Sequence, residues 1–402
     1  MHSTFSDPAT SDATGTPRGA IVASFILGTV GASGFTLLPM TLPALAGAFG
    51  LSNGSVGLVS TMELTGVTGG ALLAGLLSRR FDSRMQAVVV TGLLTLCALA
   101  TMLVDSIVLL TSVRFVDGIM AGYALSLAYS TLMTTRRVDR NYALLAICPL
   151  IYGMIGFAVL PKFEGLVGWH ASFIVLSVSD AIGFVAAFFL CVRLTAQDKP
   201  LSFIETLPNL RGAMALFSVV FYYAGLCAIY AFSFNMGIQS TGSPALAGSA
   251  LSASQFVGIG GCIVAALIAG RMDRRLAILT GFVITVAGIL CLMFSLTTIG
   301  FFTGLLAINF AWNFLAGSHI SAVGSMDERG SAAAFLAVAI NVGAAVGPLL
   351  GFAVKDEHYG LLQSLAVAMI LVALGLIGLA IRGRRQAAGG HPVLEEEVLL
   401  DV

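Results

Sequence analysis

The sequence predicts an all-α membrane protein: twelve transmembrane helices in two pseudo-symmetric six-helix bundles. Three observations carry that expectation. Of 402 residues, 57% are hydrophobic and 10% charged, against about 25% charged in a soluble domain. The apolar residues fall into runs of roughly 20, the length that crosses a bilayer as a helix. A shift of 195 residues also brings three separate patches of the chain into register, which points to a duplicated six-span unit.

Polar punctuation places the spans at 19–46, 54–77, 85–104, 107–133, 141–162, 169–193, 213–238, 246–270, 276–297, 299–323, 330–354 and 360–381. Residues 1–18 are rich in Ser, Thr and Asp and read as a disordered tail. The first span is too long for a signal-peptide core and reads as uncleaved. Pro39, Pro43, Pro149 and Pro348 fall inside spans, where neighbouring helices re-satisfy the backbone groups that a proline frees. The first bundle is 19–194, a central loop 195–212, the second bundle 213–382, and a second tail 383–402.

Lys plus Arg and Asp plus Glu number 20 each. With no net charge, nothing suggests a nucleic-acid partner. Where the cations sit is informative. Arg79, Arg80 and Arg84 follow span 2, Arg136, Arg137 and Arg140 span 4, and Lys199 and Arg211 span 6. Arg271, Arg274 and Arg275 follow span 8, Arg329 span 10, and Arg382, Arg384 and Arg385 span 12; Arg18 and Arg193 share that side. The exceptions are Lys162, Lys355 and the intra-span Arg114. By the positive-inside rule, both termini are cytoplasmic, in the inner (plasma) membrane. The six cysteines stand singly, without metal-ligand spacing, and read as small packing residues. No metal or cofactor is expected.

In the repeat, Gly156, Phe157, Ala158 and Val159 fall on Gly351, Phe352, Ala353 and Val354. Ala74, Gly75, Arg79 and Arg80 fall on Ala269, Gly270, Arg274 and Arg275, and Phe115, Ala121 and Gly122 on Phe310, Ala316 and Gly317.

Span 4 carries Arg114, Gly118 and Gly122 at four-residue spacing, and the loop after span 2 carries Gly75, Arg79, Arg80, Asp82 and Arg84. With twelve spans in two halves around a central loop, these patches make the chain resemble the major facilitator superfamily over almost its whole length. It looks most like the proton-coupled drug and metabolite exporters with twelve spans. The loop departs from the family's Gly-x-Leu-x-Asp-Arg-x-Gly-Arg pattern, with Arg79 in place of Asp and Asp82 in place of Gly. The Gly-Pro pattern of the family's antiporters, usual in span 5, is reduced there to Gly153, Gly156 and Pro161. A fuller version stands in span 11 as Gly343, Gly347, Pro348 and Gly351. The resemblance implies alternating access by two rocking bundles, and a transporter that is not an enzyme.

Glu63, Asp117 and Asp180 lie about ten residues into spans 2, 4 and 6, which is roughly 15 Å deep at ~1.5 Å per residue. Arg114 is one turn from Asp117. A charge at that depth costs at least ~2.5–3.5 kcal/mol, so these residues read as a proton-coupling group poised by Arg114. The alternatives are a static Arg114–Asp117 pair three residues apart, a lone Glu63 bonded to a neighbouring helix, and a structural Asp180. At their repeat positions stand Gly258, Asn309, Trp312 and Gly375, so the charges are confined to the first half. The second half offers Tyr222, Tyr230, Asn235, Gln255, Asn309, Trp312, Asn313 and Asn341, a wall suited to an amphipathic organic substrate or, alternatively, glue between helices. Gly118, Gly122, Gly343, Gly347, Pro348 and Gly351 read as packing and gating positions, and His319 as a surface or capping residue near the end of span 10.

The function expected is proton-coupled export of a small, partly apolar organic compound by a monomer in the lipid bilayer. The alternative is proton-coupled uptake of an organic acid, with Arg114 on its carboxylate. An intramembrane enzyme or sensor is disfavoured because no hydrolase, metalloprotease or nucleotide motif is present.

Overall fold

The computed structural model describes residues 16–78, 80–190, 208–294, 297–326, 331–355 and 358–388; for 331–334 and 382–388 it describes the backbone. The ends of both tails, most of the central loop, Arg79, Cys191, Arg193, Lys199 and Arg329 lie outside the described residues.

Among the described residues, twelve helices are long and apolar enough to cross a membrane, which makes the chain a multi-pass integral membrane protein. The first half comprises α1 (Arg18–Thr36), α2 (Leu38–Phe49), α3 (Asn53–Leu77), α4 (Ser83–Thr101), α5 (Ile107–Leu132), α6 (Val138–Val167) and α7 (His170–Ala187). The second comprises α8 (Leu210–Thr241), α9 (Pro244–Ile268), α10 (Arg274–Phe294), α11 (Thr298–Gly324), α12 (Ser331–Leu349) and α13 (Gly360–Ala388). Ser52, Asp82, Asn209, Ser243 and Thr297 cap helix starts, each accepting a backbone N–H, as short polar side chains do. Buried hydroxyls such as Ser24, Thr91 and Ser177 donate to carbonyls of their own helix, which satisfies them without a partner helix.

Four spans differ from expectation. Span 1 is two helices, because Pro39 has no N–H to continue the ladder. The chain breaks at Leu37, and Met40 N–H turns to the Leu37 carbonyl. The Thr36 carbonyl is thereby left without a helical donor. Span 11 ends at Leu349, just after Pro348, and continues as a 3₁₀ turn, Leu350–Ala353. The helices of spans 5 and 7 outrun their apolar stretches, since hydropathy marks the lipid's thickness and the hydrogen-bond ladder does not stop there.

Within the halves, α3 packs on α5 and α9 on α11. These are repeat partners, and one of their contacts repeats atom for atom. A side chain at Gly66 would meet the Phe115 carbonyl and the Ile119 N–H; one at Gly261 would meet the Phe310 carbonyl and the Phe314 N–H. Every residue in the second contact is the first plus 195.

The halves meet through α3 with α12, α6 with α9, and α2 with α8. Thr61 donates to the Ala345 carbonyl at 2.7 Å, and Ser252 to the Met154 carbonyl at 2.7 Å. Gly57 lies against the Pro348 carbonyl, Gly351 against that of Asn53, and Gly248 against Phe157 and Pro161. These contacts gather toward the face opposite the Arg-bearing loops, where α3 begins and α12 ends. The halves are therefore closed against each other on that face.

Candidate functional site

The site grows from the α3–α5 contact. A methyl group at Gly118 would run into the Glu63 carbonyl and one at Gly122 into that of Val67; from the other side, Gly70 lies against Ile119. Four-residue glycine spacing lets the two backbones touch. Glu63 is thereby set beside Arg114, one turn from Gly118. Arg114 donates from Nε to Glu63 Oε2 at 2.9 Å and from Nη2 to Oε1 at 2.5 Å. Its Nη1 stands 3.3 Å from Asp117 Oδ2 without a hydrogen bond. The guanidinium also lies 5.7 Å from the Phe173 ring centroid on α7.

Arg114, Glu63 and Asp117 are only 2%, 7% and 6% exposed. Two carboxylates thus surround one guanidinium away from water. Glu63 is not a lone acid, and the hydrogen bonds of Arg114 go to Glu63 on another helix and not to its own-helix neighbour Asp117. Both donor edges facing Glu63 are occupied, and Nη1, toward Asp117, is the guanidinium nitrogen without a hydrogen-bond partner. Asp180, buried on α7, makes no ion pair among the described residues.

α1 separates this group from a cavity. Gly34 faces the ion pair: a side chain there would meet Glu63 Oε1 at 2.7 Å and Arg114 Nη2 at 3.5 Å. The next residues, Phe35 and Thr36, line a cavity of about 170 Å³ between the halves, with Ala32, Pro149, Leu150, Tyr230, Gln255, Asn309, Trp312 and Asn313. Three rings frame it. Phe35 lies 5.6 Å from Tyr230 and 6.0 Å from Trp312, and Tyr230 lies 5.5 Å from Trp312, centroid to centroid. The Tyr230 hydroxyl donates at 2.6 Å to the Thr36 carbonyl, the group freed by Pro39. The break in span 1 thus becomes a bond between the halves.

Five of the residues expected on the substrate wall line this cavity: Tyr230, Gln255, Asn309, Trp312 and Asn313. Tyr222, Asn235 and Asn341 do not. Tyr222 is buried within the second half, its ring 5.0 Å from Phe282 and 5.7 Å from His319. Asn235 and Asn341 are half-buried elsewhere. His319 is no surface residue: it is 2% exposed and hydrogen-bonded to Ser218 at 3.1 Å. Phe35, Thr36 and Gly34 were not anticipated, although Pro39 signals the break beside them.

Gly343 and Gly347 lie against α8 at Val220 and Ala228, so they are close-packing positions. In the loop after α3, Gly75 has open space around it, Asp82 caps α4, and Arg84 lies 6.0 Å from the Phe188 ring. Neither Asp82 nor Asp273 pairs with an Arg among the described residues; Asp273 accepts from the Arg275 N–H.

A model of the Major Facilitator Superfamily matches residues 24–348. Over 161 residues, 39% of this chain, the sequence is 30% identical to the 4-hydroxybenzoate transporter PcaK of Pseudomonas aeruginosa, covering 35% of that protein. Over 189 residues, 44% of this chain, it is 28% identical to the uncharacterized MFS-type transporter YdgK of Bacillus subtilis, covering 46% of it. The chain thus matches less than half the length of either relative. Among solved structures, the nucleoside transporter NupG superposes with a TM-score of 0.69, and a point mutant of it with 0.72. Both are 14% identical to this chain and cover 91% of it and 98% of their own length, a likeness of fold alone. The chain belongs to the Major Facilitator Superfamily of membrane transporters.

Proposed function

We infer that this protein is a secondary active transporter that couples movement of a small, partly apolar organic compound to protons by alternating access. One observation carries the reading: the buried Glu63–Arg114–Asp117 group lies just across Gly34 from the aromatic and amide cavity. With two carboxylates around one guanidinium, a single proton makes the group neutral. A buried charge without a partner is costly, so the favoured state switches as the halves rock and the surroundings of α1 change. Proton and cargo then bias the same helix from its two sides.

Export in exchange for protons is the reading favoured here. The cavity lining contains no Lys or Arg to hold an anion, and Arg114 is engaged by Glu63. Uptake of an aromatic acid is the second reading, and the local similarity to a 4-hydroxybenzoate transporter supports it. The Arg-rich loops favour cytoplasmic termini in the inner (plasma) membrane, with the cavity closed toward the outside and the protein working as a monomer.

The test is transport by the purified full chain in proteoliposomes, screened with small aromatic compounds under an imposed proton gradient. The reading expects at least one compound to move against its own gradient while protons move oppositely. Movement that ignores the proton gradient for every transported compound would overturn it.

A further inference from the structure

The hydrogen bonds around the cavity have a fixed polarity, and it leaves acceptors unfilled. The Tyr230 hydroxyl spends its one proton on the Thr36 carbonyl, so toward Gln255 it can only accept. Gln255 must present its NH₂ there, at 3.4 Å, which turns Oε1 away. Gln255 is 3% exposed, and no described residue donates to its Oε1. The same reasoning orients the asparagines. Asn313 gives its NH₂ to the backbone carbonyl and Oδ1 of Asn309, at 2.9 and 3.0 Å. Asn309 gives its own NH₂ to Ser254, whose proton is already on the Leu251 carbonyl. Asn313 Oδ1 is left with the Cys262 thiol at 3.6 Å, a weak donor. The Thr36 hydroxyl is spent on Ala32, and the Trp312 ring packs edge-on against Tyr223 at 6.1 Å between centroids.

The cavity therefore offers ring faces, two carbonyl oxygens and the second amide N–H of Gln255 and of Asn309, with no charged side chain. Its volume of about 170 Å³ is close to the roughly 150 Å³ of an apolar cavity that holds benzene. Resting on the transport reading above, we propose that the cargo is a compound with a single aromatic ring that carries an N–H or O–H donor and no carboxylate, and that Gln255 Oε1 is the specificity-determining acceptor. A carboxylate would find no cation among the lining side chains to offset its burial. A phenol satisfies Oε1 as a neutral donor, and a benzylic amine satisfies it as a cation that the rings also attract.

The chain has two tryptophans, Trp169 and Trp312. In a Trp169→Phe background of the purified full chain, Trp312 alone reports on the cavity. We expect saturable emission changes with 4-methylphenol, benzylamine or both, and none with benzoate at the same concentrations. Which of the two binds separates the neutral from the cationic cargo. Gln255→Met should weaken that binding about tenfold, the worth of one hydrogen bond. Gln255→Glu, which keeps an acceptor oxygen, should retain it, and melting curves check that both variants fold. Benzoate binding as tightly as the donors, no binding of either donor, or affinities unchanged in Gln255→Met would each overturn the proposal. Proton-coupled flux in proteoliposomes, measured alongside, tells whether the transport reading falls with it.

Discussion

Arg114 owes its place to two acids that are unequal partners. Glu63 takes both parallel hydrogen bonds, while Asp117 contributes charge at 3.3 Å without one. Removing the cation from such a group strands buried carboxylates, a loss of ~3–5 kcal/mol for a buried pair. Arg114→Leu should therefore lower the melting midpoint in detergent sharply, and adding Glu63→Gln in that background should recover part of it. A second prediction concerns Tyr230. Tyr230→Phe leaves the Thr36 carbonyl without a donor and should cost ~1–3 kcal/mol, read from denaturant midpoints, with weaker cargo binding. The acids were legible in the sequence because each interrupts an apolar run. Their pairing was not, since spacing along a chain exposes the Arg114–Asp117 neighbours but not Glu63, 51 positions away. Tyr222 was misplaced for a related reason. At 3.6 residues per turn it points well away from Tyr230, whereas Tyr223 shares the Tyr230 face and packs 6.1 Å from Trp312. Helical phase, applied to α8, separates the two tyrosines where residue type does not.

At the scale of elements, the glycine contacts decide how closely helices approach, and the two halves use the same positions differently. Gly122 on α5 is pressed against the Val67 carbonyl of α3, while its repeat partner Gly317 on α11 has nothing within 4 Å. Gly122→Ala should force α3 and α5 apart, costing ~1–3 kcal/mol as overpacking does, and weaken the Glu63–Arg114 contact one helical step away. Gly317→Ala has room, and should be neutral or stabilise by up to ~1 kcal/mol, because alanine loses less entropy in a helix. Paired melting curves check both, and equal losses would contradict the account. The four-residue spacing in α5 was readable from sequence. Its counterpart pair in α3, Gly66 and Gly70, sits among other small residues and gives no pattern that a single sequence distinguishes. The break of span 1 was also missed, because hydropathy runs smoothly across Leu37 while Pro39 ends the hydrogen-bond ladder.

At the scale of the whole molecule, the 195-residue repeat seen in the sequence reappears as matching contacts of α3 with α5 and α9 with α11. The sequence could not say which face is closed, because alternating access needs one chain to satisfy two arrangements. The structure has the halves joined away from the Arg loops, through α3 with α12 and α6 with α9. A Cβ at Gly54 would lie 3.5 Å from that of Phe352 across this contact, within disulfide reach. Gly54→Cys with Phe352→Cys, in a background lacking the native cysteines, should lock the closed face. Transport should then fall under oxidation and return with reductant; full transport by the oxidised protein would contradict the rocking motion. A coupling role for the buried acids is best checked by proton flux driven by a transported compound in proteoliposomes. Wild type, Glu63→Gln and Asp117→Asn are compared at equal cargo binding. Cargo-driven proton movement should be lost in at least one variant while Trp312 still reports bound cargo. Undiminished proton flux in both variants would contradict it.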